Sequence, residues 1–287
     1  MVVDSLLNGG RIVNLVSSFQ RMGAVLALLL LTACAAGVTE ATGQSSTTSG
    51  APDQASTVTS APDRTTTTGS ADAQLEGNRP ASIDVPAGYD PAVPVPLLVV
   101  LASFGTPGAE ELTYTGLGDL VAEEGILVVA PDGSLNDDGE HFWNATDACC
   151  ADVGSDVDDV AYLGSLIEEI SAEWNVDPAR VFAFGHSNGG FMAYRLACDR
   201  ADLGAAVVSV AGVTWSDPTA CDPSHAVSVL QIHGTDDEVV RYEGGRFAVP
   251  YPGGMETVAA WATYDSCTGG LVTDPAQIDI DENVAGI

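Results

Sequence analysis

The chain alternates between short apolar runs and longer stretches with apolar residues at helical spacing. An unbroken apolar run is typical of a strand buried on both faces, and one face of apolar residues is typical of a helix on a sheet. Strands alternating with helices predict a mostly parallel sheet covered by helices on both faces, a fold of the α/β class. The predicted strands are 81–88 at an edge, 96–103, 126–133, 180–185, 205–212 and 226–234, and the predicted helices are 117–124, 156–174, 187–198 and 253–265.

An apolar run near the N-terminus predicts export. The run covers Gly23–Ala33, follows Arg21 and ends at Cys34; it is too short for a comfortable membrane span and suits the central region of a signal peptide. Its end, Leu31–Cys34, resembles the lipobox of bacterial lipoproteins, which implies cleavage before Cys34 and a lipid anchor on that residue. The alternative is an ordinary secretory peptide in which Cys34 is incidental. Both predict an extracellular or cell-surface protein, held to a bacterial membrane in the first case.

Three regions follow from this pattern. Residues 1–34 are a predicted signal peptide, and residues 35–78 consist mainly of Thr, Ser, Ala, Gly and Pro, with little from which to build a core. We expect the second region to be a disordered tether. Residues 79–287 make the predicted folded domain.

The charge of the chain excludes one class of partner. Its 287 residues contain 40 Asp plus Glu and 9 Lys plus Arg, for a formal net charge of −31. Nucleic-acid phosphates need a basic surface, so nucleic acid is not a predicted partner. The oligomeric state is not predicted.

The candidate nucleophile is Ser187, in the G-x-S-x-G sequence Gly185–Gly189. The pattern follows a predicted strand and opens a predicted helix, the placement that presents a serine nucleophile on a tight turn. The alternative is a helix-capping serine after such a turn. A carboxylate after a later strand can orient the histidine that activates the serine, and Asp237 is favoured for this role over Asp236 and Glu238. The alternative for this acidic group is a solvated turn.

Four separated motifs carry a family resemblance: GHSNGGFMAYRLAC, HGTDDEVVRYEGG, FWNATDACC and DVDDVAYL. Together, over Arg79–Cys267, they resemble the secreted polyhydroxybutyrate depolymerase and feruloyl esterase-like branch of the α/β-hydrolases. The resemblance implies an α/β-hydrolase fold and a serine esterase that needs no metal or organic cofactor. The expected substrate is a polymeric or oligomeric polyester; alternatives are a feruloyl or acetyl xylan ester and, in another class, a non-catalytic surface binding protein. The resemblance also places the acid on Asp237.

The chain departs from this family in its oxyanion loop. The resemblance implies a His-Gly pair after the first buried strand, where this chain has Ser103-Phe104-Gly105. Backbone N–H groups form an oxyanion hole, so a change of side chains need not abolish it. The predicted donors are the amides of Phe104 and Asn188.

The second departure concerns the catalytic base. The histidines are His141, His186, His225 and His233, and none follows Asp237. The resemblance implies a histidine after one more strand, so we expect a sequence truncated at Ile287, lacking the last strand and the histidine loop. His141 is the one plausible substitute.

The remaining candidates concern the rim of the site and its covalent support. Trp143, Trp215 and Tyr242 are candidates for an aromatic rim around the substrate, with a structural role as the alternative. An exported protein tends to pair its cysteines, and the predicted disulfide joins Cys198 to Cys221, tying the helix after the nucleophile to the loop before the next strand.

Overall fold

The structure is a computed structural model that describes residues 2–4, 73–74, 79, 81–150 and 155–268. The lipobox with Cys34, most of the predicted tether and the chain end at Ile287 lie outside the described residues. Within these described ranges, no helix combines the length and the apolar character that crossing a membrane requires.

Twelve strands form one large sheet and two small hairpins. The large sheet has the order β1-β10-β9-β8-β4-β5-β3-β2, while β6 pairs with β7 and β11 with β12, both antiparallel. The strands are β1 (Val2–Asp4), β2 (Ala73–Gln74), β3 (Ser82–Asp84), β4 (Val95–Leu101), β5 (Leu127–Val129), β6 (Ser134–Leu135), β7 (His141–Phe142), β8 (Val176–His186), β9 (Ala206–Val210), β10 (Ser228–His233), β11 (Gly245–Arg246) and β12 (Pro250–Tyr251).

The predicted parallel sheet is confirmed. Strands β5, β4, β8, β9, β10 and β1 run parallel to one another, whereas β3 and β2 add antiparallel strands at one edge. Alternate residues of β4 enter separate cores on the two faces: Leu97 and Val99 pack in one cluster, and Leu98 and Val100 in the other. The continuous apolar run is therefore explained by burial on both sides.

In the described part of the chain, five α-helices surround this sheet, and short 3-10 turns lie at Leu117–Asp119 and Pro218–Ala220. The helices are α1 (Gly108–Thr115), α2 (Leu120–Glu124), α3 (Asp159–Glu173), α4 (Asn188–Asp199) and α5 (Gly254–Tyr264). The side chain of Asp158 caps α3 by accepting a hydrogen bond from the amide of Ala161 at 2.9 Å. The pattern did not predict α1, because the residues that this helix buries are Gly108, Glu111 and Thr115 rather than an apolar stripe.

Two strands come from regions where the sequence predicted none. Ala73–Gln74, assigned to the tether, pairs with β3. Val2–Asp4, assigned to the signal peptide, pairs with β10, with Asp4 opposite His233.

The predicted disulfide is present in the structure. Cys198, in the last turn of α4, is bonded to Cys221, with 5.6 Å between their Cα atoms. Cys149 and Cys150, neighbours in the chain, are also bonded to each other. The first bridge fastens the helix that begins at the candidate nucleophile to the segment leading into β10.

Candidate active site

Ser187 lies on a strained turn between β8 and α4. Its backbone angles are φ 52° and ψ −116°, a region that residues other than glycine seldom adopt. The surrounding structure holds it there: its amide donates to the carbonyl of Val210 at 2.8 Å, and its carbonyl accepts from the amide of Phe191 at 3.1 Å. The half-buried side chain is thus presented at the carboxyl end of a central strand.

The two glycines of the motif are required by close backbone approach. A Cβ on Gly185 would overlap the carbonyl of Gly189, and a Cβ on Gly189 would overlap the carbonyl of Leu101. The first contact lies within the turn, and the second lies between α4 and the end of β4. The two glycines are therefore required by a tight turn between strand and helix, which supports the nucleophile interpretation over a simple helix cap.

The loop after β4 leaves one amide free. The amide of Ser103 donates to Glu111 Oε2 at 3.2 Å, that of Gly105 to the carbonyl of His141 at 2.7 Å, and that of Thr106 to the carbonyl of Ser103 at 3.2 Å. Within the described part of the chain, the amide of Phe104 has no acceptor.

Asn188 supplies the second candidate donor. Its amide is the first in α4, and the first amides of a helix have no partner within the helix. Two backbone N–H groups, on Phe104 and Asn188, therefore have no acceptor among the described residues, which is what the oxyanion-hole hypothesis requires of its donors.

The side chain of Asn188 ties this turn to a distant loop. Its Oδ1 accepts from the amide of Trp143 at 2.7 Å, and its Nδ2 donates to the carbonyl of the same residue at 3.0 Å. Trp143 Nε1 in turn donates to the carbonyl of Ala102, just before the oxyanion loop, at 3.1 Å. One buried amide side chain thus connects the turn, the tryptophan loop and the end of β4.

A buried ion pair fastens the other end of the tryptophan loop. Asp159 accepts from Arg79 through Oδ1 and from the amide of Asn144 through Oδ2, both at 2.6 Å. The Arg79 guanidinium also lies 3.7 Å from the ring centre of Tyr162, whose hydroxyl donates to the carbonyl of Arg79 at 2.9 Å. Burial raises the pKa of Tyr162 to about 12, so this donor keeps its proton.

The candidate acid lies in a well-formed turn after β10. Asp237 Oδ1 accepts from the amides of Val239 and Val240 at 2.8 and 3.0 Å, and its Oδ2 lies 3.6 Å from Nε2 of His233. These two backbone hydrogen bonds fix the orientation of the carboxylate. The carboxylate is thereby fixed at the same edge of the sheet as Ser187.

His233 nevertheless occupies a structural position. Its side chain is fully buried, with Nε2 at 2.6 Å from the carbonyl of Val240 and Nδ1 at 3.2 Å from Nε2 of Gln231. The carbonyl of Val240 accepts from Nε2, and the Gln231 amide nitrogen donates to Nδ1. Both ring nitrogens are therefore engaged.

The other histidines also have partners away from the nucleophile. Nδ1 of His141 lies 3.0 Å from the carbonyl of Gly133, and Nδ1 of His186 lies 3.0 Å from Glu111 Oε1. His225 is exposed beside the hydroxyl of Ser224. All four histidines lie within the described residues, and none of them hydrogen bonds to Ser187 there.

Known proteins resemble this chain in sequence and in topology. A profile of the Prolyl oligopeptidase family matches residues 119–228, which include the turn at Ser187. The parallel sheet carries the serine turn at the end of a central strand, and this arrangement identifies the architecture. The fold is that of the α/β-hydrolases.

Two curated relatives of this chain are named for feruloyl esters. Feruloyl esterase B of Piromyces equi is 28% identical over 200 residues, covering 67% of this chain and 36% of that protein. Feruloyl esterase C of Emericella nidulans is 32% identical over 179 residues, covering 60% of this chain and 59% of that protein. The chain thus spans only part of the length of both relatives.

Among solved structures, the Bacillus cereus carboxylesterase aligns with 69% of this chain and 84% of its own, with a TM-score of 0.49 and 16% identity.

The predicted aromatic rim needs correction. Trp143 is 1% exposed and belongs to the core. Its indole N–H donates a hydrogen bond to the carbonyl of Ala102, just before the oxyanion loop. Trp215 is half-buried and packs against the core, and Tyr242 is half-buried with its ring 5.7 Å from that of His233. Among the described residues the more exposed aromatics are others: Phe104 (39%), Tyr114 (46%) and Phe247 (40%).

Sequence reasoning missed one residue that contacts both sides of the site. Glu111, on the unpredicted helix α1, is 1% exposed and contacts Ser103 of the oxyanion loop and His186 of the nucleophile turn. A glutamate within an acidic chain gives little signal, since 40 residues carry carboxylates. The one available signal was its position eight residues after Ser103, in the loop that follows β4. This spacing becomes informative only once α1 is known.

Proposed function

We propose that this chain is a serine carboxylic ester hydrolase with Ser187 as the nucleophile. The observation that carries the proposal is the strained serine turn with free amides on Phe104 and Asn188 beside it. These donors suit the negative charge that develops on a carbonyl oxygen under attack. The names of the two feruloyl esterase relatives support the same reaction class.

The proposed reaction follows the acyl-transfer route. Ser187 Oγ attacks the ester carbonyl while a base removes its proton, and the two amides hold the resulting oxyanion. The alcohol leaves with a proton, and water then releases the acid from the acyl-serine. Asp237 is proposed to orient the imidazole of the base and to stabilise its charged form. Neither a metal nor an organic cofactor enters these steps.

Added imidazole provides the test of this proposal. Because none of the histidines contacts Ser187 in the described structure, we expect slow hydrolysis of p-nitrophenyl acetate, at the level that an oxyanion hole and binding supply alone. Imidazole in solution should act as the missing base and raise the enzyme-dependent rate about 100-fold. The measurement is the release of p-nitrophenolate against imidazole concentration, corrected for imidazole without protein. A protein-dependent rate that does not respond to imidazole contradicts the proposal.

For the substrate, we propose a polyester or oligoester of hydroxyalkanoate units, on the basis of the resemblance of the four motifs. Exposed Phe104, Tyr114 and Phe247 give the domain apolar side chains for such a polymer. The second candidate is a feruloyl or acetyl xylan ester, which the names of the two relatives favour equally. Release of hydroxybutyrate compared with release of ferulate or acetate, with imidazole present, separates the two.

The role of His141 is tested by His141→Gln. Its Nδ1 lies beside the carbonyl of Gly133 and its own carbonyl holds the amide of Gly105, so we regard it as a support of the oxyanion loop. The slow hydrolysis without imidazole should change by less than about threefold, because the backbone contact remains. A loss of this hydrolysis that imidazole restores would instead identify His141 as the base.

A non-catalytic surface binding protein is the alternative from another class. One observation favours it: among the described residues, no histidine hydrogen bonds to Ser187. A fold alone does not fix function. Ester or glycan binding without any imidazole-dependent hydrolysis would support this alternative.

The proposed location of the protein is the cell surface. It rests on the resemblance of Leu31–Cys34 to a lipobox and on the tether-like composition of residues 35–78. In this proposal, Cys34 carries the lipid and the tether holds the hydrolase away from the membrane.

A further inference from the structure

We propose that Glu111 is a positioning residue that holds the two donors of the oxyanion hole in register. The inference rests on the proposed function and assigns this residue a role in it. Phe104 and Asn188 lie on separate loops, so their amides can face one oxygen only if the loops keep a fixed separation. The Glu111 side chain hydrogen bonds to Ser103, the residue before Phe104, and to His186, two residues before Asn188.

On one side, the carboxylate holds the oxyanion loop. Glu111 Oε2 lies 3.2 Å from the amide of Ser103 and 3.3 Å from its hydroxyl, and the amide of Phe104 is the next in the chain. The hydroxyl of Ser103 also lies 3.0 Å from that of Thr106, closing the turn. The orientation of the Phe104 peptide thus depends on an anchor one residue away.

On the other side, the same carboxylate holds the nucleophile turn. Glu111 Oε1 lies 3.0 Å from Nδ1 of His186, the residue before Ser187. A carboxylate only accepts, so Nδ1 carries the proton in this pair. The His186 ring is covered by Tyr114, one turn further along α1, with ring centres 5.8 Å apart and planes 12° apart. Helix α1 therefore contacts the turn through two side chains.

The burial of Glu111 shows that this contact is not incidental. The residue is 1% exposed, and a buried carboxylate is costly unless hydrogen bonds compensate for lost hydration. Here the compensating donors are the amide and hydroxyl of Ser103 in the oxyanion loop and Nδ1 of His186 in the nucleophile turn. Loss of the carboxylate leaves the Ser103 amide and the His186 ring without their acceptor, and each loop then relaxes separately.

Three variants test the role of Glu111. Glu111→Leu removes the acceptor and puts an apolar side chain in its place. Glu111→Gln keeps one oxygen for Ser103 and offers an amide to His186. Glu110→Gln changes an exposed neighbour on the same helix and serves as the control. In p-nitrophenyl acetate hydrolysis with imidazole, kcat should fall about tenfold for Glu111→Leu, with KM changed less than about threefold. Glu111→Gln should recover most of that loss, and Glu110→Gln should match the unaltered chain. An unchanged kcat in Glu111→Leu, or a loss confined to KM, overturns the proposal.

Amide hydrogen exchange gives a readout that does not depend on turnover. In Glu111→Leu, exchange should rise in the segments 101–107 and 185–190 together, while α5 keeps its protection. Unchanged exchange in either loop overturns the proposal even if the chain hydrolyses no ester. If both loops loosen but the unaltered chain shows no imidazole-dependent hydrolysis, the coupling by Glu111 stands and the proposed function fails.

Discussion

Replacing Ser187 with alanine should abolish the imidazole-dependent hydrolysis of p-nitrophenyl acetate, a loss of about 100-fold or more. Without Oγ there is no nucleophile for imidazole to deprotonate, so the base in solution can act only on water. The backbone at residue 187 has a positive φ that alanine adopts at a similar cost, and the backbone hydrogen bonds to Val210 and Phe191 do not use the side chain. The fold should therefore survive the change.

The control for this variant is Ser224→Ala, which removes an exposed hydroxyl whose contact is the ring of His225. It should hydrolyse the ester at the rate of the unaltered chain at every imidazole concentration. Equal imidazole-dependent rates in Ser187→Ala and in the unaltered chain would remove Ser187 from the reaction, and the turn would then be a structural feature alone.

The second prediction concerns stability. Asn188→Leu should lower the free energy of unfolding by about 2 kcal/mol, measured by urea denaturation, because it leaves the buried amide of Trp143 without an acceptor, at about 1–3 kcal/mol. The carbonyl of Trp143 loses one donor but keeps the amide of Ala145. Leucine branches at Cγ as asparagine does and leaves no void, so the cost does not arise from a cavity. Hydrolysis with imidazole should fall as well, since the tryptophan loop supports the end of β4 through Ala102.

Asp199→Asn, at the other end of the same helix, serves as the reference. It weakens an exposed pair with Arg195, and such pairs contribute little to stability. Its midpoint should match that of the unaltered chain. If Asn188→Leu unfolds at that same midpoint, the two hydrogen bonds across the loop do not hold the site together.

The elements that the sequence predicted are those whose identity depends on apolar burial. Strands β4, β9 and β10 and helices α3, α4 and α5 were placed correctly, because each buries apolar side chains at the spacing that its geometry imposes. The nucleophile turn was also predictable, since its glycines are dictated by backbone approach within a few residues. These features depend on residues that are close together in the sequence, so the sequence pattern can predict them.

The features that escaped prediction either show no apolar period or depend on partners elsewhere in the fold. Helix α1 buries Glu111, whose partners lie in other elements, and Thr115, whose hydroxyl bonds within the helix, so no apolar pattern marks it. The hairpins β6–β7 and β11–β12 pair two residues on each side, too few for a period to show. Trp143 was placed on the rim because nothing near it in sequence reveals that its indole meets Ala102.

The contact between Asn188 and Trp143 places unequal limits on how this chain can vary. Both hydrogen bonds reach the main chain at position 143, whereas position 188 contributes a side chain. The contact therefore excludes only proline at 143, but at 188 it requires a group that both donates and accepts at the length of asparagine. A loop transplanted from a related protein could keep this contact with a residue other than tryptophan at 143, provided that the recipient retains Asn188, but it would lose the hydrogen bond from the Trp143 indole to Ala102.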